Sequence, residues 1–137
     1  MERTFTFIKP DVVSRNLVGA VIARYEAEGL RVAALKRLHL SKVKAQGFYA
    51  VHRSRPFFDS LTAFMTEGPV VAMVLEGDSA MDKVRRINGA TNPSEAAPGT
   101  IRKDFGTNIE RNAVHGSDSL ENAAKEIAHV FSELEIF

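Results

Sequence analysis

His115 stands in the run Asn112-Ala113-Val114-His115-Gly116-Ser117-Asp118, between a short apolar stretch and an amphipathic one. A neutral imidazole is a good nucleophile toward phosphorus, and its ordinary pKa of about 6.5 leaves it largely neutral at pH 7. Gly116 removes side-chain bulk beside it, which would let a phosphoryl group approach. Ser117 and Asp118 are placed to cap the next helix, and the same turn offers free N–H groups to an anion. The same residues equally fit a structural histidine at a strand end, followed by a Gly-Ser-Asp turn. Glu126 adds weight to the first reading. On a helical wheel it shares a flank with Ser119, Ala123 and Val130, so it should be partly buried within one or two turns of His115. A carboxylate there could orient the imidazole, directly or through Ser117, and stabilise its charged form. A solvated surface glutamate beside Lys125 would look the same in sequence.

Phosphoryl transfer is mostly positioning plus neutralisation of charge on the equatorial oxygens. No G-x-x-x-x-G-K or G-x-G-x-x-G pattern occurs, so side chains and Mg²⁺ must supply that charge. Lys9 falls at the end of the first strand, where Pro10 makes the chain turn. Arg85 and Arg102 provide guanidiniums suited to bidentate phosphate contacts, and Thr91 provides a hydroxyl. Each taken alone is a solvated side chain; only their convergence would make a site. Phe57 follows Arg55-Pro56 at a helix start and could stack on any base without reading its edge, unless it joins Phe58 in the core.

Other chemistries are excluded or unsupported. The chain has no cysteine, which removes disulfides, thiolate nucleophiles and cysteine-ligated metals. The four histidines are far apart and form no zinc motif. Eighteen basic side chains face seventeen acidic ones, and a net charge of +1 does not call for nucleic acid or a membrane. The start of the chain lacks the apolar core of a signal peptide, and the longest apolar run, Pro69 to Leu75, is too short to span a bilayer. A cytoplasmic protein is expected.

The elements that must position these residues alternate between strand and helix patterns over a single domain, residues 1–137. Arg3 to Ile8 alternates, with Phe5 and Phe7 on one side and Thr4 and Thr6 on the other. Leu17, Val21 and Tyr25 follow helical spacing, ended by Gly29 as a C′ residue. Val32 to Leu40 reads as a second strand. Ser41 should cap a helix carrying Ala45, Phe48 and Tyr49. Phe57, Leu61, Phe64 and Met65 make another stripe, stopped by Gly68-Pro69. Val70 to Leu75 is uninterrupted and apolar, which predicts a central strand covered on both faces. Ser79 to Asn88 reads as a short helix and Ala113 to His115 as a brief strand. Leu120, Ala124, Ile127 and Phe131 mark the last helix. Between Gly89 and Asn112 no period appears, and a loop this long is usually functional or disordered. The order predicts an α+β, ferredoxin-like fold: a four-stranded antiparallel sheet with helices packed on one face.

The chain resembles the nucleoside diphosphate kinases over nearly its whole length. The resemblance is carried by Glu2-Arg3-Thr4-Phe5 with Ile8-Lys9-Pro10-Asp11, Arg55-Pro56-Phe57-Phe58, the stretch from Gly68 to Gly77, Gly89-Ala90-Thr91-Asn92-Pro93, Pro98-Gly99-Thr100-Ile101-Arg102 and the stretch from Arg111 to Ser119. It implies a ferredoxin-like fold and ping-pong exchange of the γ-phosphate between nucleoside triphosphates and diphosphates, such as ATP and GDP. It also implies that His115 is the phosphorylated nucleophile, supported by Glu126 and Ser117. Lys9, Tyr49, Phe57, Leu61, Arg85, Thr91, Arg102, Ile109 and Asn112 match the family's nucleotide-site positions. In that picture Phe57 and Ile109 sandwich the base. Lys9 and Asn112 meet sugar hydroxyls and phosphates, and Arg85, Thr91 and Arg102 hold phosphates. Asp118 matches the acidic position after the histidine. Mg²⁺ is expected on the nucleotide phosphates with little protein ligation. Val12 and Asn16 stand where the family often has glycine. The short tail resembles bacterial forms. Leu134, Ile136 and Phe137 would be awkwardly exposed in a monomer, so a homo-oligomer, a tetramer or hexamer built from dimers, is expected. The rival readings are a catalytically silent ferredoxin-like module binding nucleotide or RNA, and a phosphohistidine carrier serving a protein.

Overall fold

A computed structural model describes all 137 residues, Met1–Phe137. Four strands, β1 (Glu2–Ile8), β2 (Arg31–Leu38), β3 (Val70–Gly77) and β4 (Val114–Gly116), form one sheet in the order β2-β3-β1-β4. Every neighbouring pair is antiparallel, with Phe5 opposite Val74 and Phe7 opposite His115. Seven helices complete the fold: α1 (Pro10–Val13), α2 (Val18–Ala27), α3 (Lys42–Phe48), α4 (Phe58–Met65), α5 (Ala80–Asn88), α6 (Ile101–Phe105) and α7 (Leu120–Val130). The predicted four-stranded antiparallel α+β domain is therefore present.

The helices lie on both faces of the sheet, not on one as the element order suggested. Phe5, Phe7, Val70, Ala72 and Val74 face α3, α4 and the residues after α7, packing with Ala45, Phe58, Phe64 and Phe131. Ile8, Val71, Met73 and Leu75 face the other way, against Val21 and Tyr25 of α2, Val84 of α5 and Ile101 of α6. The apolar run of β3 is thus accounted for, with its successive side chains entering two separate cores. Thr4 and Thr6 of β1 correct the alternation argument, because both are fully buried. A threonine hydroxyl can enter a core when it finds an acceptor. Thr6 finds one in the carbonyl of His115.

Local signals behave as their chemistry requires. Ser41 accepts the backbone N–H of Lys44 and caps α3. Gly29, at φ 83°, ends α2, and its N–H and that of Leu30 return to the carbonyls of Glu26 and Tyr25. Asn16, at φ 61°, occupies a left-handed position that asparagine tolerates better than most residues.

Four expectations need correction. Ser119, and neither Ser117 nor Asp118, caps α7 by accepting from the N–H of Asn122. Leu120 and Ala124 are exposed, and Ala123, Ile127 and Val130 form the inward stripe of α7. The cap at Ser119 sets the helix start, and packing of Ala123, Ile127 and Val130 sets the rotation that turns Glu126 toward His115. The stretch from Gly89 to Asn112 holds a 3₁₀ turn, Pro93–Glu95, and α6, both too short to show a period. In the tail, Leu134 and Phe137 are 90% and 84% exposed, whereas Ile136 packs on the first core.

Candidate active site

The end of β1, helices α3 to α6 and the segments around residues 89–91 and 109–112 meet around His115. The short β4 pairs only with the end of β1, so its position depends on the turn that precedes it. There Ala113 is buried in a left-handed conformation, φ 75°, unusual for a residue with a Cβ. Two contacts hold it. Its carbonyl accepts the N–H of Lys9 at 2.9 Å, and its own N–H donates to Asp11 Oδ2 at 3.1 Å. Burial raises the Asp11 carboxyl above its ordinary value, and the Ala113 hydrogen bond opposes that rise. The start of α1 is thereby tied to the turn that delivers Asn112 and His115.

A cleft of about 550 Å³ opens at this point. It is lined by Lys9, Tyr49, Phe57, Leu61, Arg85, Thr91, Arg102, Ile109, Asn112 and His115, residues from widely separated parts of the chain. Each nucleotide-site position inferred from sequence reaches this one cleft. Phe57 is 46% exposed and Ile109 63% exposed, whereas Phe58 is buried, so the two adjacent phenylalanines divide between surface and core. Lys9 is buried, and its Nζ donates to Asn112 Oδ1 at 2.8 Å. The Asn112 amide in turn holds the carbonyls of Thr91 and Ile109, which fixes the two sides of the long loop together. Burial, and then the charge of Arg102, push the Lys9 ammonium down to about 8. Arg102 donates to the carbonyls of Gly89 and Val114, both at 2.9 Å. Its Nε is buried without a partner. Burial lowers its pKa from the ordinary arginine value, and Arg85 nearby adds to this. Gly89, at φ 86°, has no room for a side chain, since a Cβ would lie 2.6 Å from Thr100.

Glu126 and Ser117 lie behind His115 rather than in the cleft. Glu126 Oε1 is 2.9 Å from His115 Nε2 and accepts the Ser117 hydroxyl at 2.6 Å. The imidazole and carboxylate are only 20% and 18% exposed. A carboxylate can only accept here, so Nε2 carries the hydrogen and Nδ1 keeps its lone pair. Both readings of Ser117 are thereby decided: it is a buried partner of Glu126 and not a cap. Phe7, Phe48 and Tyr49 surround the ring, with centroids 6.3, 5.4 and 6.2 Å away. Burial, and next the charge of Glu126, keep the Tyr49 phenol protonated well above its ordinary range. Asp118 is exposed, accepts from the Asn122 amide at 2.6 Å and lines a neighbouring cavity, not the cleft.

Three further polar side chains reach the cleft that sequence reasoning did not select: His52, Asn88 and Glu110. His52 sits between Tyr49 and Phe57, with ring centroids 6.5 and 5.5 Å away. Glu110 follows Ile109 and accepts the Ser60 hydroxyl at 2.7 Å. For these two, proximity to Tyr49, Phe57 and Ile109 in sequence was the available signal. Gly116 does border the cleft, but packing also demands it, because a Cβ would meet Asn88 Nδ2 at 2.9 Å and Val84 Cγ1 at 3.2 Å.

The sheet order and the helices packed on it define a ferredoxin-like α+β class of protein. The solved nucleoside diphosphate kinase of Aquifex aeolicus superposes with a TM-score of 0.98 at 47% identity, covering 99% of both chains. That of Halobacterium salinarum, solved in complex with CDP, gives 0.95 at 43% identity, covering 99% of this chain and 91% of its own. The sequence model for nucleoside diphosphate kinase matches residues 2–136. The nucleoside diphosphate kinase of Campylobacter concisus is 60% identical over 136 residues, 99% of each chain. The chain belongs to the nucleoside diphosphate kinase family.

Proposed function

We propose that His115 Nδ1 takes the γ-phosphoryl group of a nucleoside triphosphate and passes it to a nucleoside diphosphate. One observation carries this assignment. Glu126 engages Nε2 and leaves Nδ1 as the free nucleophile in a cleft with two arginines and a lysine. In the first half-reaction the Nδ1 lone pair forms a bond to the γ-phosphorus, and the bond from phosphorus to the β,γ-bridging oxygen breaks. The nucleoside diphosphate leaves with that electron pair. The imidazole becomes positively charged, and Glu126 stabilises it through Nε2–H. The second half-reaction reverses these steps with a different diphosphate, whose terminal oxygen attacks the phosphohistidine.

Lys9, Arg85, Thr91 and Arg102 are assigned to the phosphates, with Asn112 and Lys9 also reaching the sugar. Arg102 keeps a second hydrogen on each terminal nitrogen after bonding Gly89 and Val114, so it can contact an anion without releasing them. Phe57, Leu61 and Ile109 form an apolar slot for the base, with Tyr49 closing its inner end. Apolar contact discriminates weakly among bases, which fits ATP, GTP, GDP and other nucleotides as substrates. Glu110 is the single carboxylate lining the cleft. Such a donor set suits Mg²⁺ carried by the phosphates, not an ion caged by protein. When bound there, Mg²⁺ neutralises phosphate charge. Asp118, turned toward the neighbouring cavity, is given no part in this.

The exposed Leu134 and Phe137, together with half-exposed Leu35 on the edge strand β2, support a homo-oligomer, a tetramer or hexamer built from dimers. The cytoplasmic assignment rests on the absence of cysteine and on no helix being long and apolar enough to cross a membrane.

Incubation with ATP and Mg²⁺ should leave on the protein a phosphate that acid removes and base does not. Unlabelled GDP should discharge it as GTP. His115→Ala should show neither, and phosphate exchange by that variant at the wild-type rate would reject the mechanism.

A further inference from the structure

Asn88 is 1% exposed, lies three residues beyond Arg85 on α5 and borders the cleft. Its Oδ1 accepts the hydroxyl of Tyr25 at 2.6 Å. Tyr25 is fully buried, and burial pushes its phenol up to about 12, so it remains a donor at neutral pH. A donor at that end of the carboxamide fixes which way it points. The oxygen faces α2, and the nitrogen faces Gly116, 2.9 Å from where a Cβ would stand. Gly116 is the neighbour of His115, and Thr6, whose oxygen lies 3.5 Å from the Tyr25 hydroxyl, donates its own hydrogen to the His115 carbonyl. Asn88 Nδ2 donates to no protein acceptor, whereas the oxygen of the same amide is paired. That nitrogen stays within reach of the cleft, where a ligand oxygen can engage it. The side chains beside it, Arg85 and Arg102, are cations, so the acceptor suited to this position is an anionic oxygen.

Building on the nucleotide reading given above, we infer that Asn88 is a further phosphoryl-binding residue. Its Nδ2–H₂ donates to an oxygen of the phosphoryl group moving to and from His115, with Tyr25 as the residue that orients it. The amide is neutral, so it guides the phosphoryl group without tightening the site's hold on product as a fourth cation would.

The test is rapid-quench measurement of single-turnover phosphorylation by saturating ATP and Mg²⁺, alongside the Kd of ADP by calorimetry and thermal melting. Asn88→Leu keeps the bulk and removes the donor. Asn88→Asp preserves an acceptor for Tyr25 and puts an anion where the donor was. Losing one hydrogen bond to an anionic oxygen should slow phosphorylation by Asn88→Leu about 10- to 150-fold, with ADP binding within about twofold of wild type. Asn88→Asp should be slower still, even if it melts no earlier. A merely structural tie between α2 and α5 would instead spare Asn88→Asp and show itself only in the melting of Asn88→Leu. Wild-type phosphorylation rates in Asn88→Asp, or in a folded Asn88→Leu, overturn the inference. Failure of the wild-type protein itself to form phosphohistidine would instead remove the nucleotide reading, and this inference with it.

Discussion

Replacing Glu126 by alanine removes two hydrogen bonds at one oxygen, from His115 Nε2 at 2.9 Å and from Ser117 at 2.6 Å. The carboxylate matters most when the imidazole becomes positive, which happens as the N–P bond forms. A hydrogen bond to a charged partner contributes about 1.5–3 kcal/mol, or roughly 10- to 150-fold in rate. The side chains are 20% and 18% exposed, so solvent partly screens them and the lower part of that range, about 10- to 30-fold, is expected. Glu126→Gln keeps an acceptor for Nε2–H but loses the charge, and should cost only about 3- to 10-fold. Rapid-quench phosphorylation at saturating ATP reads these losses directly. A second observable is the attachment nitrogen. Phosphorus NMR of the alkali-denatured phosphoprotein should show phosphate on Nδ1. Phosphate on Nε2, or wild-type phosphorylation rates in Glu126→Ala, would refute the assignment of Glu126 as the group that fixes the tautomer and stabilises the cation.

Lys9 gives a pH signature. Its folded pKa of about 8 lies below the ordinary 10.5, so between these values the unfolded chain holds a proton that the folded protein has released. The contribution of Lys9 to stability therefore rises with pH across that window, and its attraction for phosphate falls. ADP binding followed by calorimetry from pH 7 to 9.5 should weaken above about pH 8 in wild type, and Lys9→Met should lose that component; an identical profile in the variant would exclude Lys9. Phe57→Ala should raise KM for purine and pyrimidine diphosphates together, by about 1–3 kcal/mol of lost stacking. Weakening confined to one base class in steady-state assays would show that Phe57 reads base edges instead of stacking.

Part of the candidate site was legible because its residues sit at chain punctuation, whereas Tyr49, Leu61, Ile109 and Asn112 were reached only through the family resemblance. Lys9 precedes Pro10 where β1 ends, Phe57 follows Pro56, and His115 precedes Gly116. Residues at such breaks face a sheet end or a loop, where a ligand can reach them. Phosphate chemistry then requires cations, and Arg85 and Arg102 meet that need from α5 and α6 rather than from loops. Asn88 and His52 escaped because neither has a chemistry specific enough to select it. Glu110 follows the predicted base contact Ile109 but carries the wrong charge for a phosphate site. Periodicity failed where elements were short, as in α6, or where both faces of a strand are covered, as at Thr4 and Thr6.

By itself the sequence determined the α+β class, the central place of β3, the caps at Ser41 and Gly29, and the residue types available for phosphoryl chemistry. These depend on side-chain spacing and backbone preference, which are local properties. Only the tertiary structure decided that helices cover both faces of the sheet, that Glu126 and Ser117 meet behind the imidazole, and that Asn88 turns its amide toward the cleft. Those facts depend on the rotation of α7 and on the approach of α5 to β4, and such docking angles are set by packing between segments far apart in the chain.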